Sequence, residues 1–432
     1  MSRTIKNPTT GRSVAYLEND VIFNAITGNP IGVIDQAQVR SSVTGGDVFA
    51  LDGQSAGCDH IVGSPGDGMC RVRFFDYEGT LLKTHYVPVG GAAVAPAIPE
   101  HSRLVFQEWN NDFDNIQRDK DVGAIYTTRS GATEIDFVLG IASGKTITVG
   151  GCYISAEMTI EWGDGTRDVF STNGLIAPSH EYPDYGEYTI KFKCSNWYAN
   201  NGVVNLVKTN TTYDYDRDTA RRVYIAEGHT RNIKFNGNCQ SLKEYTCCRG
   251  SVYATEFNNS HALKAYICNR GQTEAYGAWA GQLRVAVLSD TITKISGSAF
   301  RAGQACVEYI PDSVTELGSD CFRDAPNGFY SGKMDIPAGV TVIPERCFNN
   351  NRTLFEITLA SPNLTEIKTN AFQYAYALKT VKLFATTPPV LDSTAFSGTN
   401  LSEILVPAGC GEAYKSATNW SVFADIIKEM EN

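Results

Sequence analysis

The sequence predicts a mainly β, multidomain protein in which small β modules and a β-sandwich precede a repeat solenoid closed by a helical cap. Three observations carry this. Five small-residue–phenylalanine pairs, Ala299-Phe300, Cys321-Phe322, Cys347-Phe348, Ala371-Phe372 and Ala395-Phe396, recur at steps of 22, 26, 24 and 24 residues. A unit this short cannot bury its own apolar face, so each must stack on the next and share one core. Upstream, short alternating apolar runs are separated by Gly, Pro and Asp turns at strand spacing. Downstream, Phe423, Ile426, Ile427 and Met430 follow the i, i+3, i+4, i+7 pattern that buries one face of a helix.

Residues 1–66 are rich in Gly, Asp, Ser and Val. Val21-Ile22-Phe23, Ile31-Gly32-Val33-Ile34 and Asp47-Val48-Phe49-Ala50-Leu51 read as short strands, and Gly63-Ser64-Pro65-Gly66-Asp67-Gly68 as a hinge. This N-terminal segment is the expected attachment point to something larger.

Residues 67–128 open with a hairpin signal: Arg71–Tyr77, a Glu78-Gly79 turn, and Leu81–Val87. Ala95-Pro96, Phe106, Trp109 and a closing Val122–Tyr126 follow. This order resembles the internalin-type B repeat, a small β module of bacterial surface proteins, with Gln107-Glu108 standing where the family carries a glycine. His85 and Trp109 read as strand residues.

In residues 129–205, Trp162-Gly163-Asp164-Gly165-Thr166 precedes His180-Glu181-Tyr182 and the alternating segment Tyr185–Phe192. Glycine and aspartate supply the positive φ of a tight hairpin. The arrangement resembles the polycystic-kidney-disease-type sandwich, and the resemblance implies structural roles for Asp164 and His180.

Residues 206–432 hold the solenoid, whose turns are expected to start near Arg221. Thr-x-Ile/Leu (Thr293/Ile295, Thr315/Leu317, Thr341/Ile343, Thr365/Ile367) precedes each pair, and an apolar strand such as Leu354-x-x-Ile357-x-Leu359 follows it. The small residue lets turns approach and Phe fills the space between them. Pro311, Pro337 and Pro407 end strands, having no N–H for a ladder. Weaker turns surround Leu242, Leu263 and Leu283. These residues resemble the BspA-type leucine-rich repeat family, which implies a leucine-rich repeat solenoid with a C-terminal helical cap, in which Trp420 is a cap residue.

Catalytic motifs fail on context. Gly53-Gln54-Ser55-Ala56-Gly57 matches a nucleophile elbow, but a Gly/Pro-rich stretch replaces the required helix. Gly140–Thr146 is one residue short of a phosphate loop and runs into a strand. Asp214, Asp216 and Asp218 alternate as calcium ligands do, yet Thr219 and Ile225 stand where the loop needs glycine and glutamate. The histidines, His60, His85, His101, His180, His229 and His261, form no metal pattern, and the twelve cysteines read as small buried thiols. No catalytic residue, metal or cofactor is expected, and the protein reads as no enzyme.

A ligand-facing surface remains. Trp197, Tyr198, Tyr213 and Tyr215 flank the expected sandwich–solenoid junction, and Tyr276 and Trp279 fall in an irregular repeat; rings beside amides suit sugar or protein contact. A net charge of −10 excludes a basic footprint for nucleic acid, and no apolar span long enough for a membrane helix occurs. Modules resembling those of bacterial surface proteins, on a chain whose start reads as lacking an export signal, predict a bacteriophage virion appendage: a tail or head fibre infecting hosts such as Bacteroides-like bacteria. Its N-terminal segment would meet other virion proteins and its C-terminal region a host surface glycan or protein, in a homo-oligomer. The alternative is a bacterial cell-surface adhesin.

Overall fold

The structure, a computed structural model, describes strands of residues 1–50 by their backbone, and residues 68–140, 145–150, 152–154, 156–171, 174–194, 203–207, 220–226, 232–235, 242–247, 264–275, 283–302, 307, 309–325 and 332–431. The chain divides into two compact units, residues 1–73, 83–94 and 113–120 in the first and the remainder in the second.

In the first unit, strands Arg3–Lys6, Ser13–Glu18, Val21–Asn24, Pro30–Asp35, Gln38–Ser41 and Asp47–Ala50 form an antiparallel meander in sequence order. The short apolar runs of the sequence fall within these strands, apart from Leu51, which lies outside the described residues. His85 is a strand residue as expected, and its Nδ1 accepts the Val94 N–H at 2.9 Å.

In the second unit, the hairpin turn closes through Gly79 N–H to Asp76 C=O (2.9 Å) and Asp76 N–H to Thr80 C=O (2.8 Å), with Gly79 at φ 85°. Strand Leu104–Trp109 pairs antiparallel with Lys120–Thr128, and the register slips where Gln107 has no partner. Gln107 thus forms a bulge inside one strand.

The sandwich has a six-stranded sheet in the order Arg167–Phe170, Met158–Glu161, Gly186–Cys194, Thr133–Leu139, Ala220–Ile225, Glu244–Cys247. A four-stranded sheet runs Ser179–Glu181, Thr146–Gly150, Val203–Val207, Asn232–Phe235. Pairing changes sense inside each. Ala220–Ile225 is antiparallel to Thr133–Leu139 and parallel to Glu244–Cys247. Val203–Val207 is likewise antiparallel to Thr146–Gly150 and parallel to Asn232–Phe235. Both sandwich sheets therefore continue into the parallel pairing of the repeats, and one apolar core runs from Ile135 to Ile427.

The Trp162–Thr166 hairpin is built as its residues require. Gly163 and Gly165 sit at φ 90° and 93°, and a Cβ on Gly163 would lie 2.6 Å from the Thr189 carbonyl oxygen. Asp164 accepts from Thr166 N–H (2.9 Å) and Oγ1 (2.6 Å) and meets His180 Nε2 at 2.7 Å. The His180 ring stacks on Trp162 at 4.8 Å, and Tyr182 donates to the Trp162 carbonyl at 2.9 Å.

Each later turn contributes a short and a longer parallel strand. Lys333–Ile336, Glu356–Leu359, Thr380–Leu383, Glu403–Val406 and Ile427–Glu429 form one sheet, and Val342–Ile343, Glu366–Ile367 and Val390–Leu391 another. In the longer strands the second and fourth residues are buried, the period-2 pattern of a half-buried strand. All five phenylalanines point inward, none more than 5% exposed. They form an unbroken stack, with centroids 5.6, 5.3, 5.2 and 5.2 Å apart and ring planes within 12°.

The corner carrying each pair is a hydrogen-bonded ladder in its own right. Phe300, Phe322, Phe348 and Phe372 donate their N–H to the carbonyl of Cys321, Cys347, Ala371 and Ala395 on the next turn. Two residues on, Ala302, Asp324, Asn350 and Tyr374 do the same, and all four have φ between 53° and 61°. The left-handed residue turns its N–H to face the next turn, at a cost of about 1 kcal/mol for a residue with a Cβ.

Pro337 and Pro407 directly follow strands, whereas Tyr309 and Ile310, immediately before Pro311, are not in a strand. The cap differs from the expected helical stripe. A helix spans Gly411–Ser416, a 3-10 turn Ser421–Ile426, and Ile427–Glu429 is a strand parallel to Glu403–Val406. Ile427 is buried as a rung, because the last turn leaves an open strand edge whose pairing outweighs continuing the helix. Trp420 is fully buried, as expected of a cap residue. Three side chains cover the last carbonyls: Tyr414 OH to Ala385 (2.7 Å), Trp420 Nε1 to Pro389 (2.8 Å) and Asn419 Nδ2 to Leu391 (2.7 Å).

The β module docks onto the repeats within this unit. Asn110 Nδ2 donates to the Cys268 carbonyl (2.9 Å), Asn111 Nδ2 to that of Leu288 (2.7 Å), and Asn111 Oδ1 accepts from Asp290 N–H (2.7 Å). A Cβ on Gly123 would lie 2.3 Å from Ile267 Cγ2, so only glycine permits this approach.

Phe348→Ala removes the middle ring of the stack and is expected to destabilise the repeats by about 3–5 kcal/mol, read by urea unfolding, while Phe355→Ala on the surface changes stability by less than about 0.5 kcal/mol. Burial alone would raise the pKa of Asp164, but hydrogen bonds from Thr166 and His180 bring it down to about 2. Its contribution is present above the unfolded carboxyl range near about 3.9 and disappears as pH falls toward the folded value. Thermal unfolding from pH 5 to 2 should therefore show a loss of stability that Asp164→Asn reduces.

Candidate functional site

Trp197, Tyr198, Tyr213, Tyr215, Tyr276 and Trp279 all lie outside the described residues. So do Ser55 and the Asp214, Asp216 and Asp218 run. The loop 141–144 of the phosphate-like motif is also outside them. The Lys145 ammonium that follows it is bound to the Pro183 carbonyl, and Thr146 begins a strand. Among the described residues, no group of three or more His, Cys, Asp or Glu side chains is placed to hold a metal ion.

The densest cluster of titratable groups joins the β module, the sandwich and the first repeat strands. His101 meets Asp76 at 3.1 Å and the Tyr126 hydroxyl at 3.2 Å, and Tyr77 and Tyr224 both donate to Glu244. Arg103 forks between Glu134 and Asp136, with its guanidinium 4.8 Å from the Tyr224 ring centroid. Burial, then the Glu244 carboxylate, pushes the Tyr77 and Tyr224 hydroxyls up. Burial would also raise Asp136, but Arg103 and Thr189 bring it down. Asp76, Tyr126, Tyr224 and Glu134 are each at most 4% exposed. These bonds tie the β module, the sandwich and the first repeat strands together.

What solvent meets is the exterior of the repeats. The longer-strand sheet presents a charged face on which Glu356 pairs with Lys382 (2.6 Å) and Lys333 (3.9 Å), and Glu403 with Lys428 (3.0 Å). Its charges neutralise one another, leaving little for a partner.

Beside the shorter strands lies a groove of about 480 Å³ lined by Glu345, Glu366, Lys368, Thr369, Val390, Leu391, Asp392, Ser393 and Asn419. Asp392 is held by Thr394 N–H (2.9 Å) and Oγ1 (2.5 Å) and by Thr369 Oγ1 (3.0 Å), bonds that lower its pKa. A general acid needs a carboxyl held protonated, and Asp392 moves the other way. The groove offers hydrogen-bonding groups around exposed Val390, which is binding chemistry.

On the corner face, Tyr374 and Tyr376 form a ledge. Their rings lie 5.9 Å apart at 29° and are 46% and 49% exposed. Tyr374 occupies the left-handed corner position (φ 61°) filled on other turns by Ala302, Asp324, Asn350 and Gly398. Gly398 on the next turn makes room for the ring: a Cβ there would lie 2.7 Å from Tyr374 Cδ1. Amides surround the ledge. Asn400 Nδ2 donates to the Tyr376 carbonyl (2.8 Å), Asn349 Nδ2 to Gln373 (3.2 Å) and Asn350 Nδ2 to Asp324 (2.9 Å). Half-exposed rings beside amides give flat apolar area next to hydrogen-bonding groups, the pairing that binds sugars and proteins.

Sequence reasoning sought that chemistry at the module junction and passed over this pair. The signal was present in the repeat: two residues past each phenylalanine stand Ala, Asp, Asn, Tyr and Gly. Tyrosine is the odd one among residues suited to a corner. A bulky aromatic ring at positive φ that stays about half exposed is an uncommon choice for such a corner.

The model of the BspA type leucine rich repeat region matches the chain in six copies over residues 229–327 and 293–421. The C-terminal half thus contains a BspA-type leucine-rich repeat region. A solved leucine rich cell surface protein from Faecalibacterium prausnitzii aligns over 56% of this chain and 91% of its own, at 14% identity and a TM-score of 0.24. No curated protein matches the chain.

Replacing Tyr374 by Asn, the residue of the preceding turn, should leave the fold intact and raise the stability of the repeats by up to about 1 kcal/mol, measured by chemical unfolding. A fall in stability of similar size would mean that the ring is there for packing.

Proposed function

We propose that the protein is a non-enzymatic binding protein that engages a surface glycan or protein through the exterior of its C-terminal repeats. The observation that carries this reading is the Tyr374–Tyr376 ledge: half-exposed rings on a rigid ladder, one of them kept in a strained backbone position that another residue would fill at less cost. The repeat region supports it, since stacked turns create an extended binding surface rather than a catalytic cleft. Several copies on one assembly would turn weak contacts into firm attachment.

The site of action in this reading is a bacterial surface, as an adhesin or as the target of a virion appendage that carries the chain. The two differ in where the protein resides. Immunogold labelling of bacterial cells and of purified phage particles separates them: label on cell envelopes favours the adhesin, label on particles the appendage.

Binding itself is tested with the purified full chain, fluorescently labelled, on bacterial and host cells. The protein with Tyr374→Asn and Tyr376→Ala together is expected to bind at least about tenfold less than the unaltered chain, with an unchanged circular dichroism spectrum. Equal binding by both proteins would move recognition away from the ledge.

A further inference from the structure

Cys321 and Cys347 fill the same slot on successive turns, the position before the stacked phenylalanine that is alanine at Ala299, Ala371 and Ala395. Their sulfurs lie 3.2 Å apart and both residues are fully buried. The two turns are held in register on either side of the pair. Phe322 N–H donates to the Cys347 carbonyl at 2.9 Å, and Asp320 N–H to the Glu345 carbonyl at 3.1 Å. Asp320 also receives Arg346 Nε at 2.9 Å and Nη2 at 3.0 Å. Hydrogen-bonded turns lie about 4.8 Å apart, within the separation of roughly 4.4–6.8 Å that disulfides span between Cα atoms.

We propose that Cys321 and Cys347 are an oxidative cross-linking site: exchange with a low-molecular-weight disulfide joins them into an intrachain bond that staples two turns of the repeat region. One cysteine thiolate attacks a sulfur of the small disulfide, breaking its S–S bond and releasing one thiol. The other cysteine then attacks the protein-bound sulfur of the mixed disulfide and expels the second thiol. The two cysteine protons end on the two released thiols, and the small disulfide takes up the two electrons.

Burial, together with neighbouring Cys321 and Asp320, raises the Cys347 thiol well above its ordinary pKa, so the folded ladder reacts slowly. The bond therefore forms while the chain folds or when the turns part. Adjacent placement of two cysteines in slots that elsewhere take alanine makes the closed form compatible with the ladder. Closing the bond brings the sulfurs from 3.2 Å to about 2.05 Å as the two thiol hydrogens leave.

The test unfolds the full chain, refolds it with oxidised glutathione, alkylates remaining thiols and digests it with trypsin. Fragments 302–323 and 347–352 are expected joined, two hydrogen masses below their sum, with fragment ions placing the bond at Cys321 rather than Cys306. Thermal unfolding of the oxidised protein should occur roughly 5 °C above that of the reduced protein. Cys321→Ala, which places the residue of the other turns in the slot, should erase that difference and leave Cys347 alkylated. Alkylated Cys347 in the oxidised unaltered chain, or Cys347 linked to any other cysteine, overturns the proposal.

Discussion

Register between successive turns is the constraint on which the rest depends. A stacked aromatic column tolerates no slip: moving one turn by a residue would place the small residue where Phe348 sits and drive a ring into the slot that lets turns approach. The stack from Phe300 to Phe396, the corner N–H groups and the parallel strands all repeat at the same interval, so each reinforces the others. The phenylalanines act by packing alone. Their backbone corners contribute separately, through the left-handed residues that aim N–H groups at the next turn.

A ladder of this kind has ends, and each end solves the problem of unpaired backbone differently. At the C-terminal end, Tyr414, Asn419 and Trp420 donate to carbonyls of the last turn, and Ile427–Glu429 adds a final strand. Phe396 meets Trp420 and Phe423 instead of another ring in stack, so the column terminates on tilted and edge contacts. At the other end the sandwich supplies the missing edge. Its two sheets change from antiparallel to parallel pairing at Ala220–Ile225 and Val203–Val207.

The β module fastens onto the repeats through buried amides rather than apolar contact alone. Asn110 and Asn111 satisfy carbonyls and an N–H that the repeat strands present outward, and Gly123 and Gly79 let the surfaces meet. Within the second unit the sandwich and the repeats share one apolar core, and these amides latch the docked strands onto it.

The sequence alone determined the period, the inward phenylalanines, the small residue beside each, and the hairpins at Gly79 and at Trp162–Thr166, because those features follow from local chemistry and strict repetition. Trp420 was legible as a cap residue for the same reason. The stripe ending in Ile427 and Met430 was not legible as a strand: its spacing favours a helix, and only an open strand edge beside it decides otherwise. Nor could spacing place Asn111 against Leu288, 177 positions away in the chain, since docking depends on surfaces that exist only after folding. Tyr374 was visible as a residue, but its exposure beside Tyr376 was not, because that depends on a backbone angle and on the glycine one turn on. Tertiary structure decided these, as it brings together residues whose separation in sequence carries no period.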